Sequence, residues 1–346
     1  MRDGQTTTEP RPGTHTATTG GGHGSTRAGR RPNRLPGTAA LALAGALVLA
    51  GCGSGEDAAE GGERAVETVN GTVKVPEKPQ RVVVLDTAEL DSALTLGVTP
   101  VGAVTAQPGK PFLSYLPKDR LKDVENVGVI AQPNLEKVAE LKPDLILTNQ
   151  ERDGQRYDEL KQIAPTVMTK TTGYPWKENF QVHAEALGKK PEARKALATY
   201  RDRAAAVTKA LGGKEKARKI ETSVIRFQEG ADTRIYGEKA YIATLLKDVG
   251  LGRPDVVKEA TDYDGLALDV SPEQVDKGDA DVVFYTSYGS PTKSGERKAV
   301  KSPLWKGMNA VRKDRAFHVQ DELWIQGIGY TAAGKILQEM RGHLTS

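Results

Sequence analysis

A helix-to-strand signature occurs twice in this chain, once on each side of a long helical stretch, and it constrains the fold more than any other feature. In the first copy Glu136-Lys137-Val138 leads to Pro143-Asp144 and the apolar run Leu145-Ile146-Leu147. In the second, Glu273-Gln274-Val275 leads to Ala280-Asp281 and Val282-Val283-Phe284, with the same eight-residue offset from Glu to Asp. Short apolar runs bounded by turn residues read as strands buried on both faces, the pattern of a parallel sheet covered by helices. Around the first copy, strands are expected near 81–85, 101–104, 145–148 and 166–168. Helices near 89–96, 135–141 and 157–163 separate them, with Gly97 placed to end the first helix. A helix over 176–187 follows, then one opened by Pro191 that runs for about twenty residues, roughly 30 Å. After Gly212-Gly213 the rhythm restarts, with strands near 220–226, 282–285 and 316–319 and helices near 241–249 and 330–344. Ser271-Pro272-Glu273-Gln274 has the capping-box form of a helix start. Ahead of both halves, valines alternating over 66–75 around Asn70-Gly71 predict a β-hairpin with a tight turn. The expected fold is therefore α/β: two doubly wound, Rossmann-like lobes joined by a single long α-helix.

The only cysteine, Cys52, divides the composition. Of the 49 Lys and Arg and 45 Asp and Glu, six arginines and two acids precede it, so the formal charge of +4 belongs to the first 51 residues. The remainder is neutral, which argues against a nucleic-acid partner, since phosphate recognition needs a basic surface. A lone cysteine excludes an internal disulfide framework and a Cys-rich zinc module. The uncharged run of twelve residues at 39–50 is too short to span a bilayer, but with the arginines at 27–34 before it, it fits a secretory signal. Leu49-Ala50-Gly51-Cys52 resembles the lipobox of bacterial lipoproteins. That resemblance implies cleavage after Gly51, lipidation of Cys52 and anchoring to the outer face of the cell membrane. Arg30-Arg31 precedes Pro32 in a poor twin-arginine context, so the export route stays open. Residues 1–51 are thus expected to be a signal peptide and 52–65 a flexible tether. An N-terminal lobe is expected over 66–175, linker helices over 176–213 and a C-terminal lobe over 214–346.

Open parallel sheets bind ligands beyond the carboxyl ends of their strands. That rule selects Arg152 in the first lobe and Arg226, Tyr285, Tyr288 and Trp324 in the second, with Trp176 at the junction. Arginines and aromatics facing a cleft suit a bulky ligand with clustered oxygen acceptors and apolar stems. Bland readings stay open: Tyr285 as core, Arg226 in a structural ion pair, Arg152 as a solvated charge, Trp176 as a hydrophobic staple. No catalytic residue emerges. His183, His318 and His343 are dispersed, no Gly-rich phosphate loop follows a strand, and Ser114, Ser223 and Ser287 lack a nucleophile-elbow context.

The lipobox, the hairpin, RVVVLDTAELDSALTLGVTPVGAV, NLEKVAELKPDLILT, the long helix and SPEQVDKGDADVVFYTS together resemble the substrate-binding lipoproteins of iron–siderophore ABC importers. The resemblance spans nearly all of 52–346. It implies the bilobal class III fold with little hinge movement, and a monomer that captures a ferric siderophore and hands it to a permease. It implies no cofactor and no protein metal ligand, because the siderophore's own oxygens fill the Fe(III) shell. A hydroxamate complex is the first expectation, since few cations can be placed in the cleft from sequence. Permease docking is expected through Glu125 on the first lobe and, on the second, Asp255 or Glu259, because Gly252-Arg253 stands where the acid is sought. Alternatives are a cobalamin or haem receptor of the same fold, with Tyr285 or Tyr288 as an axial ligand, and an extracytoplasmic enzyme.

Overall fold

The computed structural model describes residues 62–258 and 260–345, so the leader, Cys52 and Glu259 lie outside the described residues. The described chain opens as an antiparallel hairpin, β1 (Glu63–Thr68) and β2 (Gly71–Pro76), with Thr68 opposite Gly71. The turn sits on Val69-Asn70, one residue earlier than the Asn-Gly pair suggests. Gly71 takes the φ of +92° that closes it, and the Thr68 hydroxyl accepts the Asn70 N–H at 3.1 Å. Residues 63–65, expected in the tether, are already strand.

The first sheet contains β3 (Val82–Val84), β4 (Gly102–Thr105), β5 (Glu125–Val129), β6 (Gln132–Pro133), β7 (Leu145–Asn149) and β8 (Thr166–Thr169), in the order β6-β5-β4-β3-β7-β8. The second contains β9 (Thr222–Gln228), β10 (Thr233–Tyr236), β11 (Ala267–Val270), β12 (Val282–Tyr288) and β13 (Ala316–His318), in the order β11-β10-β9-β12-β13. Setting aside the two-residue edge strand β6, both sheets follow one plan, 3-2-1-4-5 counted within each lobe. The first is parallel apart from the β5–β6 pair, whereas in the second β10 runs antiparallel to both β9 and β11. The cause is connection length. Only residues 229–232 join β9 to β10, and a parallel crossover takes a dozen residues or more.

Among the described residues seven α-helices of six or more residues surround the sheets: α1 (Thr87–Thr95), α2 (Leu135–Glu140), α3 (Tyr157–Ile163), α4 (Trp176–Ala186), α5 (Lys190–Ala210), α6 (Tyr241–Val249) and α7 (Tyr330–Thr345). The long helix α5 has 21 residues and carries Pro191 in its first turn, where a missing N–H leaves no bond unmade. Successive strand residues supply opposite faces. Val82 and Val84 join one buried cluster and Val83 another; likewise Val282 and Phe284 part from Val283. The largest cluster runs beneath both sheets and through α4–α7, so the two lobes share a core.

The repeated sequence signature has a structural meaning. Asp144 accepts the N–H groups of Gln80 at 2.7 Å and Arg81 at 2.9 Å, and Asp281 accepts that of Glu221 at 3.1 Å. In each lobe this aspartate ties the start of the first strand to the fourth strand, its partner across the reversal of strand order. The helices before them differ. Asn134 caps α2 through the Lys137 N–H at 3.0 Å, but the expected capping box at Ser271 does not form. There the Ser271 carbonyl takes the Gln274 N–H at 2.9 Å, and residues 272–278 wind as a 3₁₀ helix.

Candidate functional site

In both lobes strand order reverses between the first and fourth strands, and the carboxyl ends of those strands form a crevice. In the first lobe β3 is followed by Asp86 and β7 ends in Asn149, and both cap the helical turns that follow. Asp86 accepts the Thr87 N–H at 2.6 Å and Asn149 accepts that of Arg152 at 3.1 Å. The Asn149 amide then donates to Asp86 at 3.1 Å and to Glu89 at 3.2 Å, and Arg152 Nε donates to Asp86 at 2.9 Å. Burial, with the Asp86 charge beside it, pushes the Glu89 carboxyl up to about 8, so it carries a proton at neutral pH. Burial likewise pushes His183 down to about 4; its Nε2 lies 3.7 Å from Glu89 Oε1, a contact between two neutral groups. At the crevice floor the Asp86 side chain thus holds both Asn149 and Arg152.

In the second lobe the corresponding crevice is built on two arginines. Arg226 on β9 and Arg234 on β10 are direct cross-strand partners, so both project from one face of the sheet. Like charges placed opposite each other repel, and each is neutralised separately. Arg226 makes a two-point bond to Asp321, with Nε–Oδ1 at 2.7 Å and Nη2–Oδ2 at 2.6 Å. Arg234 does the same to Asp269 at 2.8 and 3.0 Å. Tyr288 lies under Arg226, 4.7 Å from guanidinium carbon to ring centre, and Tyr263 covers Arg234 at 4.5 Å. Each guanidinium spends its Nε–Nη2 edge on its carboxylate, and Arg226 is bonded in addition to the Tyr236 side chain.

These two crevices open into one cavity of about 460 Å³, walled by Arg152 and residues 171–174 from the first lobe and by Arg226, Arg234, Tyr236 and Lys239 from the second. Larger cavities, of about 760 and 910 Å³, lie along α5 and beside the end of α6, and the second of them shares Tyr174 and Lys239 with the cleft cavity. Of the residues expected to read a ligand, Arg152 and Arg226 line the cleft cavity, and Tyr288 supports Arg226. Three others are placed differently. Trp324 borders the cavity with no exposed surface: its indole donates to Glu339 at 2.7 Å and packs on Phe284 at 4.5 Å. It sits in a single helical turn, Asp321–Trp324, not the open loop expected. Tyr285 points to the opposite sheet face from Phe284 and packs on Trp305 and His318, at 4.9 and 5.2 Å. Trp176 is buried among Tyr200, Tyr241 and Tyr330 and donates to Thr244 at 2.7 Å, so it binds the junction together and does not face the cleft. Sequence reasoning missed Arg234, Lys239, Tyr174 and Tyr263. The four-residue strand Thr-Arg-Ile-Tyr carries Arg234 and is too short for its alternation to stand out in the sequence.

Glu125 opens β5 with an exposed side chain 3.3 Å from Lys137, and Asp255, also exposed, pairs with Lys258 at 2.6 Å. Among the described residues, no three His, Cys, Asp or Glu side chains converge as a metal-ion site.

The chain is 34% identical over 312 residues to a probable siderophore-binding lipoprotein of Bacillus subtilis, YfiY, covering 86% of this chain and 94% of that one. It is 30% identical over 322 residues to the Fe(3+)-citrate-binding protein YfmC of the same organism, covering 89% and 98%. The structure matches Staphylococcus aureus SirA complexed with staphyloferrin B at a TM-score of 0.73 and 31% identity, over 81% of this chain and 98% of that one. The model of the periplasmic binding protein family matches residues 82–323, from the start of β3 to the turn that carries Asp321. It takes in both crevices and the helix between them, and the chain belongs to that family.

Proposed function

We propose that this protein is the extracytoplasmic receptor of an ABC importer and captures a ferric siderophore complex in the cavity between its lobes. The observation that carries this reading is the cross-strand pair Arg226–Arg234, each guanidinium braced by its own carboxylate and facing the same cavity as Arg152 and Lys239. Pre-positioned guanidinium groups suit a ligand whose outer surface presents several anionic or strongly accepting oxygens. The wall carries the cations Arg152, Arg226, Arg234 and Lys239 beside the acids Glu151 and Asp264. Two similar proteins are named for citrate and staphyloferrin B, which favours a complex that displays carboxylate oxygens over the hydroxamate expected from sequence.

Arg152 of the first lobe and the Arg226–Arg234 pair of the second address opposite sides of one ligand, with no protein atom entering the iron shell. No step of bond making or breaking is assigned to the chain, which acts by binding and delivery. Cys52 anchors it to the membrane after removal of residues 1–51, and Glu125 and Asp255 present one exposed acid on each lobe to the permease. The receptor works as a monomer. Titration of intrinsic tryptophan fluorescence with ferric staphyloferrin B, ferric dicitrate, ferrioxamine B and a ferric tris-catecholate tests the ligand class. Strongest quenching by the carboxylate complexes is expected, and binding confined to ferrioxamine B overturns that class. Cys52→Ala is expected to move the protein from the membrane fraction to the soluble fraction.

A further inference from the structure

Among the described residues three large hydrophobic side chains are exposed, and two of them, Tyr174 and Tyr263, line the cleft cavity. They reach it from opposite sides. Tyr174 follows the first-lobe strand β8 and is 44% exposed; Tyr263 lies in the second-lobe turn Asp262–Gly265 and is 63% exposed. Large aromatic surface left in water is unfavourable, and solitary exposed tyrosines are scattered at random over most surfaces. Two on facing walls of the ligand cavity are not a scatter.

The second-lobe tyrosine is also held under strain. Tyr263 has φ of +52° and Asp264 +59°, a left-handed pair that non-glycine side chains rarely adopt. The surroundings hold the turn in place. The Tyr263 hydroxyl donates to Asp269 at 3.1 Å, one ring face covers Arg234, and Asp264 is tied to Lys239 at 3.0 Å. With one face on the guanidinium, the other face of the ring is the exposed one. Tyr174 makes no side-chain hydrogen bond among the described residues, while its carbonyl is held by the Thr171 hydroxyl at 2.5 Å. The backbone is fixed and the ring is left open.

We infer that Tyr174 and Tyr263 form an aromatic clamp that reads the apolar stems connecting the chelating groups of the siderophore, while the arginines read its oxygens. This rests on the ferric-siderophore reading above and adds a selectivity to it. A compact ferric complex with no connecting stems satisfies the arginines but leaves the clamp empty. A complex whose chelating groups are joined by a backbone fills both. The clamp therefore separates ferric siderophores from ferric citrate.

Calorimetric titration of the parent, Tyr174→Ala, Tyr263→Ala and Tyr263→Phe with ferric staphyloferrin B and with ferric dicitrate tests this. Both alanine variants are expected to lose about tenfold in affinity for ferric staphyloferrin B and less than twofold for ferric dicitrate. Tyr263→Phe, which keeps the ring and loses the hydroxyl, is expected to bind as the parent does. Because both rings are exposed, circular dichroism melts should match the parent. Equal losses for both ligands, or no loss for either, overturn the clamp while leaving the receptor reading intact. A parent that binds no ferric complex overturns the receptor reading and the clamp with it. Failure of Tyr263→Phe to restore binding assigns the effect to the Asp269 hydrogen bond and overturns the role of the ring.

Discussion

Asp91 on α1 holds the start of the last helix: its carboxylate accepts the N–H groups of Thr331 and of Ala332, each at 3.0 Å. It is an N-terminal cap supplied by a residue more than two hundred positions away. Tyr115 and Thr95 donate to the same carboxylate, each at 3.0 Å, and burial pushes its pKa up to about 6. A Cβ on Gly329 would lie 2.2 Å from Asp91 Oδ1, so glycine is required for this approach. The pairing fastens α7, and with it the end of the second lobe, to the first lobe. It supports the shared aromatic core around Trp176 and suits a receptor whose lobes move little.

Replacing Asp91 with alanine leaves two backbone donors and the Tyr115 hydroxyl buried without an acceptor. Loss of about 2–4 kcal/mol of stability is expected from the unmade bonds. Amide hydrogen exchange at Thr331 and Ala332 should accelerate more than at α3, which lies elsewhere in the first lobe. Uniform acceleration along the chain would point to general destabilisation and not to a local cap.

Stability should fall as pH rises from 6.5 to 8, through Glu89. Its folded pKa of about 8 lies above the ordinary glutamate range, so in this window the folded protein holds a proton that the unfolded chain has released. His183, pushed from 6.5 to about 4, acts in the opposite sense, but only below 6.5, where the unfolded chain binds the extra proton. Asp91, at about 6, is largely ionised by then and adds only a little in the same sense as Glu89. Thermal melts should show the parent losing on the order of 1–2 kcal/mol between these pH values, and Glu89→Gln losing little. A flat parent curve would place an ionised glutamate in the cluster.

Much of this was legible from residues alone. The runs that became β3, β7 and β12 are apolar on both faces, and that pattern reads as a buried parallel strand. Arg226 stood out because a charge ending such a run needs a partner, and Asp321 is that partner. Tyr285 and Tyr288 could have been separated by parity, since Tyr288 shares a sheet face with Phe284 and Tyr285 does not. Arg234 was hidden for a different reason. A strand as short as β10 has too few residues for alternation to show, and its cross-strand partner is fixed by a hairpin visible only in three dimensions. Trp324 misled because polar neighbours suggested a loop, whereas a single helical turn folds the indole inward.

The two arginines should contribute alike to ligand affinity. Arg226→Lys keeps the charge and loses the two-point bond to Asp321, and a loss of tenfold to a hundredfold in ferric-complex affinity is expected, the scale of one charged hydrogen bond. Arg234→Lys should behave similarly, and the double variant should lose less than the product, because the pair addresses one ligand. Fluorescence titration measures all three. Unchanged affinity in Arg226→Lys would remove the cross-strand pair from the binding site.

Glu125 tests delivery separately from capture. It is exposed at the start of β5, pairs with Lys137 at 3.3 Å, and stays clear of the cleft cavity. A surface pair of this kind contributes little to folding, on the order of 0–1 kcal/mol, so Glu125→Arg should melt like the parent. If the acid meets a cation on the permease, reversing its charge adds repulsion at the contact. Iron uptake by cells carrying only the variant receptor should then fall severalfold, while the affinity of the purified protein for the ferric complex stays within twofold of the parent. Asp255→Arg on the second lobe should act in the same way, and combining the two should lower uptake further. A variant that loses ligand affinity would assign Glu125 to the fold of the first lobe, and one with normal uptake would leave docking to other acids.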